Sequence, residues 1–500
     1  MKLDERDLGP GLAGIDLGSN SFHMIVARVV QGQLHVVDRL RERVQLGAGL
    51  DRDRHLTGEA ERRAISCLER FGQRLRDLPA ANIRAVGTNT LRQAKNARDF
   101  LERAEAALGH PIEVISGREE ARLVYLGVAY DLSDDSGRRL VVDIGGGSTE
   151  CILGERFEPL ETDSLYMGCV SYSLRFFPDG RIKRDDFKDA EIAARVELQT
   201  IERRYRSLGW DHAIGSSGTV VAIDQVLRAQ GDDAITPRGL KRLKKAMLQA
   251  EHTSKLDFPG LPSDRANVFP GGVAILSAVF DAFGLESMSA ATGALREGLL
   301  YDLLGRFRHE DVRDQTIRRF VANHHVDVEQ AARVERTALQ FLEQVEKTWE
   351  LGEDVCRRFL SWAARLHEIG LSVAHSGYHK HGAYLIEHAD MPGFSRDDQL
   401  LLATLVLSHR RKFSREMFRR LPSGLGKTAL RLAALLRLAV CLNRSRGAAQ
   451  VPRARLWARG GVLQVAFPTQ FLEEYSLVAV DLKEEVGRFD GAGLTLELAS

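Results

Sequence analysis

Two short stretches of this chain set a carboxylate against a glycine-rich turn. Residues 14–29 read GIDLGSNSFHMIVARV and residues 140–154 read LVVDIGGGSTECILG. In each, an Asp (Asp16, Asp143) closes an apolar run, Gly and Ser follow at matching places, and apolar character resumes at once. The paired runs are too close for a helix between them, so each reads as a β-hairpin whose backbone N–H groups can cradle a phosphate oxygen. Carboxylates beside a phosphate make chemical sense when a cation stands between them, and a hard cation such as Mg²⁺ takes carboxylate, phosphate and water oxygens. Asp16, Asp143 and, on the strand leaving the second turn, Glu150 are the candidate metal ligands. The competing reading is that each carboxylate only bonds its own turn. One such loop is a common strand ending; two of them, one α/β domain apart, would grip a phosphate chain from two sides.

A third stretch, VISGREEARLVYLGV at 114–128, starts a helix. Ser116 and Glu119 have the spacing of a capping box, and Ala121, Val124, Tyr125 and Val128 follow helical periodicity. Glu119 thus has a structural task, whereas the sequence gives Glu120 none. Glu120 lies in the first turn, where the helix dipole favours negative charge. A carboxylate there, beside a phosphate cleft, can orient and deprotonate an attacking water. The competing reading is a solvated surface glutamate.

These residues need elements to position them. A chain of 500 residues exceeds one hydrophobic core and should hold about three or four domains. Hydrophobic residues at 44% and charged residues at 28% describe a folded chain rather than a disordered one. The net charge of +1 does not choose a partner. Up to about residue 305, short β-branched runs alternate with charged helical stretches, as α/β architecture requires. After it the pattern is helical, and from Val451 it turns β again. Cys67, Cys151, Cys169, Cys356 and Cys441 lie far apart without a C-x-x-C pair, so neither a disulfide framework nor a cysteine zinc site is expected. A charged N-terminus and apolar stretches such as 400–409, half a membrane span long, predict no integral membrane protein.

Taken together with AVGTNTLRQAKN, AIGSSGTVVAI and GALREGLLYDLL, the three stretches resemble the exopolyphosphatase and guanosine pentaphosphate phosphohydrolase (Ppx/GppA) family, in family order and over nearly the whole chain, and are most similar to its long bacterial exopolyphosphatases. The resemblance implies an α/β fold of two actin-like (ribonuclease H-like, ASKHA) domains, 1–125 and 126–305. A helical HD-like domain, 306–447, and a small mixed α/β domain, 448–500, follow. It implies Mg²⁺-dependent hydrolysis, with Mn²⁺ as a substitute and a monovalent K⁺ requirement left open. Glu120 is then the catalytic glutamate. The phosphate-binding residues are Ser19, Asn20 and Ser21 of the first loop, Gly145, Gly146, Gly147, Ser148 and Thr149 of the second, Arg92, whose fork suits bidentate contact, and Gly215, Ser216, Ser217, Gly218 and Thr219. The expected activity is processive removal of the terminal phosphate of inorganic polyphosphate. The alternatives are 5′-hydrolysis of guanosine pentaphosphate (pppGpp) and a sensor of polyphosphate or nucleotide without turnover. A sugar kinase or chaperone is what the fold alone would also permit. Homodimers are common in this family; the scattered cysteines fit a reducing cytoplasm, with peripheral contact at the inner membrane left open, and no recognised motif predicts a nucleic-acid partner.

Two features of the extension invite chemistry. Residues 366–413 resemble an HD phosphohydrolase domain, but the pair is His367-Glu368 and Asn443 stands near the place of the last Asp, so the histidines are expected to serve as hydrogen-bonded packing or polyanion contacts. From Ser408 to Arg446 eleven basic residues (Arg410, Arg411, Lys412, Arg415, Arg419, Arg420, Lys427, Arg431, Arg437, Arg444, Arg446) face one acid, Glu416. Without interleaved aromatics this is read as a polyanion track led by Arg410, Arg411 and Lys412 rather than as a nucleic-acid surface. A solvated helix face is the alternative.

Overall fold

The computed structural model describes residues 11–30, 33–131, 137–307, 312–352, 354–422, 424–446, 454–468 and 471–499. The charged N-terminal decapeptide and the expected boundary at 447/448 lie outside them. The chain forms two compact units, Met1–Asp311 and Val312–Ser500.

The first unit contains one topology twice. β1 (Leu12–Leu17), β2 (Phe22–Val30) and β3 (Gln33–Glu42) form an antiparallel meander, and β4 (Ile83–Gly87) and β5 (Ile112–Val114) add in parallel, giving the order β3-β2-β1-β4-β5. β6 (Arg138–Ile144), β7 (Thr149–Glu155), β8 (Glu158–Leu165), β9 (His212–Ser216) and β10 (Ser289–Ala290) repeat it as β10-β9-β6-β7-β8. The central strands β1 and β6 read as near-continuous apolar runs because helices cover both of their faces. Phe71, Leu68 and Phe100 fill one sheet's core, and the buried Phe269–Phe283 and Arg184–Leu208 helices the other's. The segment Ser263–Phe283 is long and apolar enough to cross a membrane by composition, and 72% of its apolar window is buried in this core.

Between the sheets the Gly117–Asp131 and Leu295–Phe307 helices cross closely. A Cβ on Gly298 would lie 1.9 Å from the Leu123 carbonyl oxygen, so only glycine allows the approach. Five buried or half-buried charges tie this crossing to the first sheet. Arg84 pairs with Asp302 (2.7 Å), Glu113 (3.0 Å) and Glu119 (3.5 Å), and Arg122 pairs with Glu119 (2.8 Å) and Asp302 (2.5 Å). Ser116 Oγ accepts from the Glu119 N–H at 3.1 Å, as a cap should, while the Glu119 carboxylate belongs to this ionic network.

In the second unit, six helices from Val312–Asn323 to Leu425–Leu442 pack around Trp349, Trp362 and Leu435. β11 (Arg455–Arg459), β12 (Val462–Ala466) and β13 (Thr495–Ala499) form a three-stranded sheet with the Ser476–Gly491 helix. Leu463, Leu496 and Phe489 join the same core, so the segments expected as 306–447 and 448–500 share one interior.

Candidate active site

The duplicated meanders put two tight turns at equivalent places. Asp16 stands opposite His23 across β1 and β2, and Asp143 stands opposite Glu150 across β6 and β7. In the second turn the Gly145 N–H donates to the Ser148 carbonyl at 2.9 Å, and the Gly145 and Gly146 carbonyls accept from Cys169, Val170 and Ser171. Their partial negative charges are thereby engaged by protein donors. The turns meet: a Cβ on Gly146 would lie 3.0 Å from Ser19 Cβ and 3.3 Å from the Asn20 N, and the Asn89–Gln93 helix backs both, with Thr90 Oγ1 donating to Ser19 Oγ at 2.8 Å and Asn89 Nδ2 2.1 Å from a Cβ on Gly147.

A cleft of about 420 Å³ opens between the turns. Asp16, Ser19, Asn20, Ser21, Glu120, Asp143, Gly145, Gly146, Gly147, Ser148, Ser217, Gly218 and Thr219 line it, as the sequence led us to expect of a phosphate site. Arg92, Thr149, Glu150, Gly215 and Ser216 do not, each for a local reason. Arg92 stands behind Glu120, its Nη1 bonded to Glu120 Oε2 at 2.8 Å and to the Ile115 carbonyl at 3.0 Å. Thr149 Oγ1 donates to the Met167 carbonyl, and Ser216 Oγ to that of Gly293. Gly215 is packed against Val220 and Met288. Glu150 is buried and accepts from Ser164 Oγ at 2.8 Å.

The wall also holds groups that the sequence reading did not single out: Arg39, Arg41 and Arg265, and His23 and Arg296, which lie inside quoted stretches. Arg41 pairs with Asp264 at 2.9 Å and Arg296 with Glu297 at 3.0 Å. The guanidinium of the partly buried Arg265 makes no hydrogen bond or ion pair among the described residues, and burial lowers its pKa. Gly218 makes its room, since a Cβ there would lie 1.8 Å from an Arg265 Nη. Ser217 takes φ +82, a strained value for a side-chain-bearing residue, and its Oγ donates to the Ile144 carbonyl. Burial, then the charges of Arg296, Arg41 and Arg265, push His23 down to about 3, so it is neutral near pH 7.

The carboxylates are crowded. Burial and the nearby Glu120 and Asp143 raise Asp16 to about 8, with Arg296 offsetting part of the effect. Burial and Glu120 raise Asp143 to about 6, with Ser216 and Arg296 offsetting part of the effect. Glu150 is raised well above the usual range by burial, Glu120 and Asp143. Asp16 Oδ1 and Ser21 Oγ are buried without a partner. No three His, Cys, Asp or Glu side chains among the described residues form a ready metal cage. A cation held by one or two carboxylates and otherwise by water and phosphate suits this donor set, and that is the habit of Mg²⁺.

The basic run of the second unit is largely neutralised. Arg431 and Arg437 are buried, on the Trp349 carbonyl and on Glu485. Arg420, Arg444 and Arg446 pair with Glu387, Asp481 and both Asp327 and Glu368. Arg415 donates to the Ala492 carbonyl, Lys427 pairs with Glu350 and Lys412 with Glu416. Arg410 lies over the Tyr378 ring, which leaves Arg411 and Arg419 exposed without such a partner among the described residues.

A doubled actin-like fold that closes two hairpin turns and a carboxylate cluster on one cleft defines a phosphate-handling protein of the actin-like superfamily. The Ppx/GppA phosphatase family matches residues 25–307 and the domain III model of that family matches residues 312–486, so the chain belongs to the Ppx/GppA phosphatases. It is 43% identical over 96% of its length to the guanosine-5′-triphosphate,3′-diphosphate pyrophosphatase of Aeromonas hydrophila, of which 97% is covered. To the protein of the same name from Vibrio vulnificus it is 42% identical, over 98% of each chain. The solved Aquifex aeolicus PPX-GPPA enzyme is 26% identical, with a TM-score of 0.50, over 58% of this chain and 98% of that one.

Proposed function

We propose that this chain hydrolyses the 5′-terminal phosphate of guanosine pentaphosphate, a guanosine bearing a 5′-triphosphate and a 3′-diphosphate. The observation that carries this reading is full-length similarity, at 41–43% identity, to proteins named for that substrate. It reverses the order expected from the sequence, in which polyphosphate came first. The mixed charge of the cleft agrees with it: one substrate presents a triphosphate to the turns and Glu120 and a second anionic group to the arginines.

In the proposed reaction Glu120, oriented by Arg92, takes a proton from a water as its oxygen attacks the terminal phosphorus. The bridging oxygen leaves with the remaining diphosphate, so the products are inorganic phosphate and guanosine tetraphosphate. Backbone N–H groups of the turns and the Ser21 hydroxyl hold the transferring group, and arginine charge offsets its charge. Asp16 and Asp143 would hold a Mg²⁺, with Glu150 behind them, and the ion would supply charge neutralisation between them and the phosphate.

The test is phosphate release by the purified chain from pppGpp, GTP, tripolyphosphate and long polyphosphate in parallel. The expected kcat/KM for pppGpp exceeds the others by about tenfold or more. The same margin in favour of long polyphosphate would return the exopolyphosphatase reading. Binding of all four without turnover would leave a sensor.

A further inference from the structure

The C-terminal three-stranded sheet leaves one face exposed. Successive residues of a strand point to opposite sides. On β11, Leu456 is buried in the core of the second unit, while Arg455, Trp457 and Arg459 are exposed on the other side. The register sets three rows across that side: Arg455 with Ala466 and Ala499, Trp457 with Gln464 and Glu497, and Arg459 with Val462 and Thr495. The edge of β11 is already engaged. Gln344 of the Val328–Val345 helix accepts from the Leu456 N–H at 2.9 Å and donates to the Ala454 carbonyl at 3.3 Å, and Trp349 Nε1 donates to the Gly460 carbonyl at 3.1 Å. An added strand would have to displace these bonds, so the side-chain face is the surface that remains.

The ring at the centre of β11 is unlike the chain's other three tryptophans. Trp349 and Trp362 are buried, with their indole N–H groups on the Gly460 carbonyl and on Asp314, and Trp210 packs edge-on against Phe283. Trp457 is 49% exposed, and its ring makes no hydrogen bond or ring contact among the described residues. The Arg455 and Arg459 side chains make no hydrogen bond or ion pair there either, and neither guanidinium lies over the indole. Among the described residues of these strands the one acid on this face is Glu497, and its carboxylate accepts from Gln464 Nε2 at 2.6 Å. Beyond β11, the rows on either side of the indole carry only Ala466, Ala499, Val462 and Thr495, so the ring stands beside low relief.

We propose that this face binds single-stranded nucleic acid, with one base stacked on Trp457 and the phosphates on either side of it paired with Arg455 and Arg459. Four strand steps set the two arginine Cα atoms about 13 Å apart, and their long side chains reach a backbone that runs along β11. Two uncommitted cations against one engaged carboxylate complement phosphodiester charge. Every base has a ring face, so stacking on the indole is sequence-tolerant. A duplex fits poorly, because its bases are already stacked and offer no free face. The proposal is independent of which substrate the cleft hydrolyses.

The test is fluorescence anisotropy of labelled oligouridine and oligothymidine of about 12 nucleotides with the full chain, at about 50 and 200 mM salt. A 5′-hydroxyl end keeps a terminal phosphate out of the cleft. Wild type should bind both single strands, and a duplex of the same length about tenfold more weakly or worse. Trp457→Ala should weaken single-strand binding about tenfold, and Trp457→Phe should restore most of it. Arg455→Gln with Arg459→Gln should lower the slope of log affinity against log salt by about 1.4, the share of two phosphates. Phosphate release from pppGpp should be unchanged in these variants, since none of the three residues lines the cleft. Arg265→Ala should bind the oligonucleotides as wild type does. No single-strand binding by wild type at the lower salt, or equal binding of the duplex, would overturn the proposal. So would an Arg265→Ala variant that loses the affinity Trp457→Ala keeps, because the strand would then lie in the cleft. Uridine monophosphate binding as tightly as the oligouridine would overturn it too, in favour of a site for one nucleotide. Should Trp457→Ala not fold, the salt slope of the arginine pair decides.

Discussion

Arg92 Nη1 stands 2.8 Å from Glu120 Oε2 and holds the Ile115 carbonyl with the same nitrogen. The arginine therefore aims the carboxylate at the cleft instead of facing the cleft itself. Glu120→Gln should lower kcat by about 10² or more with little change in KM, the scale of a lost general base. Arg92→Lys keeps the charge but loses the planar fork and should lower kcat by about tenfold. Steady-state kinetics at saturating substrate checks both, and near wild-type turnover by Glu120→Gln would remove Glu120 from its role.

The neighbouring carboxylate predicts the opposite phenotype. Glu119 is 1% exposed as a side chain and is shared by Arg84 and Arg122. Removing one partner of a buried ionic group leaves charge uncompensated, so Glu119→Gln should destabilise by about 3 to 5 kcal/mol. Calorimetry should show a lower Tm, while the folded fraction retains turnover. An inactive but fully stable Glu119→Gln would mean that the two glutamates had been assigned the wrong way round.

Some of this was legible in the sequence because it is local. Each hairpin, its Asp and its turn residues lie within a few positions of one another, and the Ser116 to Glu120 start of a helix is contiguous. The arginine wall was not legible: Arg39 and Arg41 of β3, Arg265 and Arg296 come from three separate elements and meet only through the fold. Arg296 sits inside GALREGLLYDLL, a stretch that pointed to the family, and was not singled out. The pairing within the basic run was not legible for the converse reason. Its acids, Glu387, Asp481, Glu485, Asp327 and Glu368, are remote in sequence, so a local charge count leaves cations that the fold pairs looking free.

The crowded carboxylates predict a pH signature. Unfolded, an Asp titrates near about 3.9; folded without metal, Asp16 and Asp143 titrate near 8 and 6. Between these values the folded chain holds protons the unfolded one has lost. Their contribution to stability is thus full below pH 4 and is lost as pH rises toward 8. Mg²⁺ must displace those protons, so its apparent affinity and the Tm gain it produces should grow with pH up to about 8. Thermal melts in EDTA and in Mg²⁺ across this range, on wild type and Asp16→Asn, measure the difference. A Mg²⁺ gain that is flat with pH, or unchanged in Asp16→Asn, would speak against Asp16 as a ligand.

The unpaired guanidinium gives the sharpest test of substrate. The Arg265 guanidinium has no bonded partner among the described residues, lines the cleft, and stands where a Cβ at 218 would meet it at 1.8 Å. An anionic group of the substrate is the partner such a cation lacks, and charged hydrogen bonds contribute about 1.5 to 3 kcal/mol. Arg265→Ala should therefore raise KM for pppGpp by about tenfold to a hundredfold, and Gly218→Ala, which drives a methyl into the guanidinium, should do the same. GTP, lacking the 3′-diphosphate, should lose less. Neutralising Arg410, Arg411 and Lys412 together should leave KM for pppGpp unchanged, because none of the three lines the cleft. The measurement is KM on pppGpp, GTP, tripolyphosphate and long polyphosphate for all three variants at two salt concentrations. A triple variant that loses affinity for long polyphosphate alone, with Arg265→Ala equal on every substrate, would mean that chain length is what this protein reads.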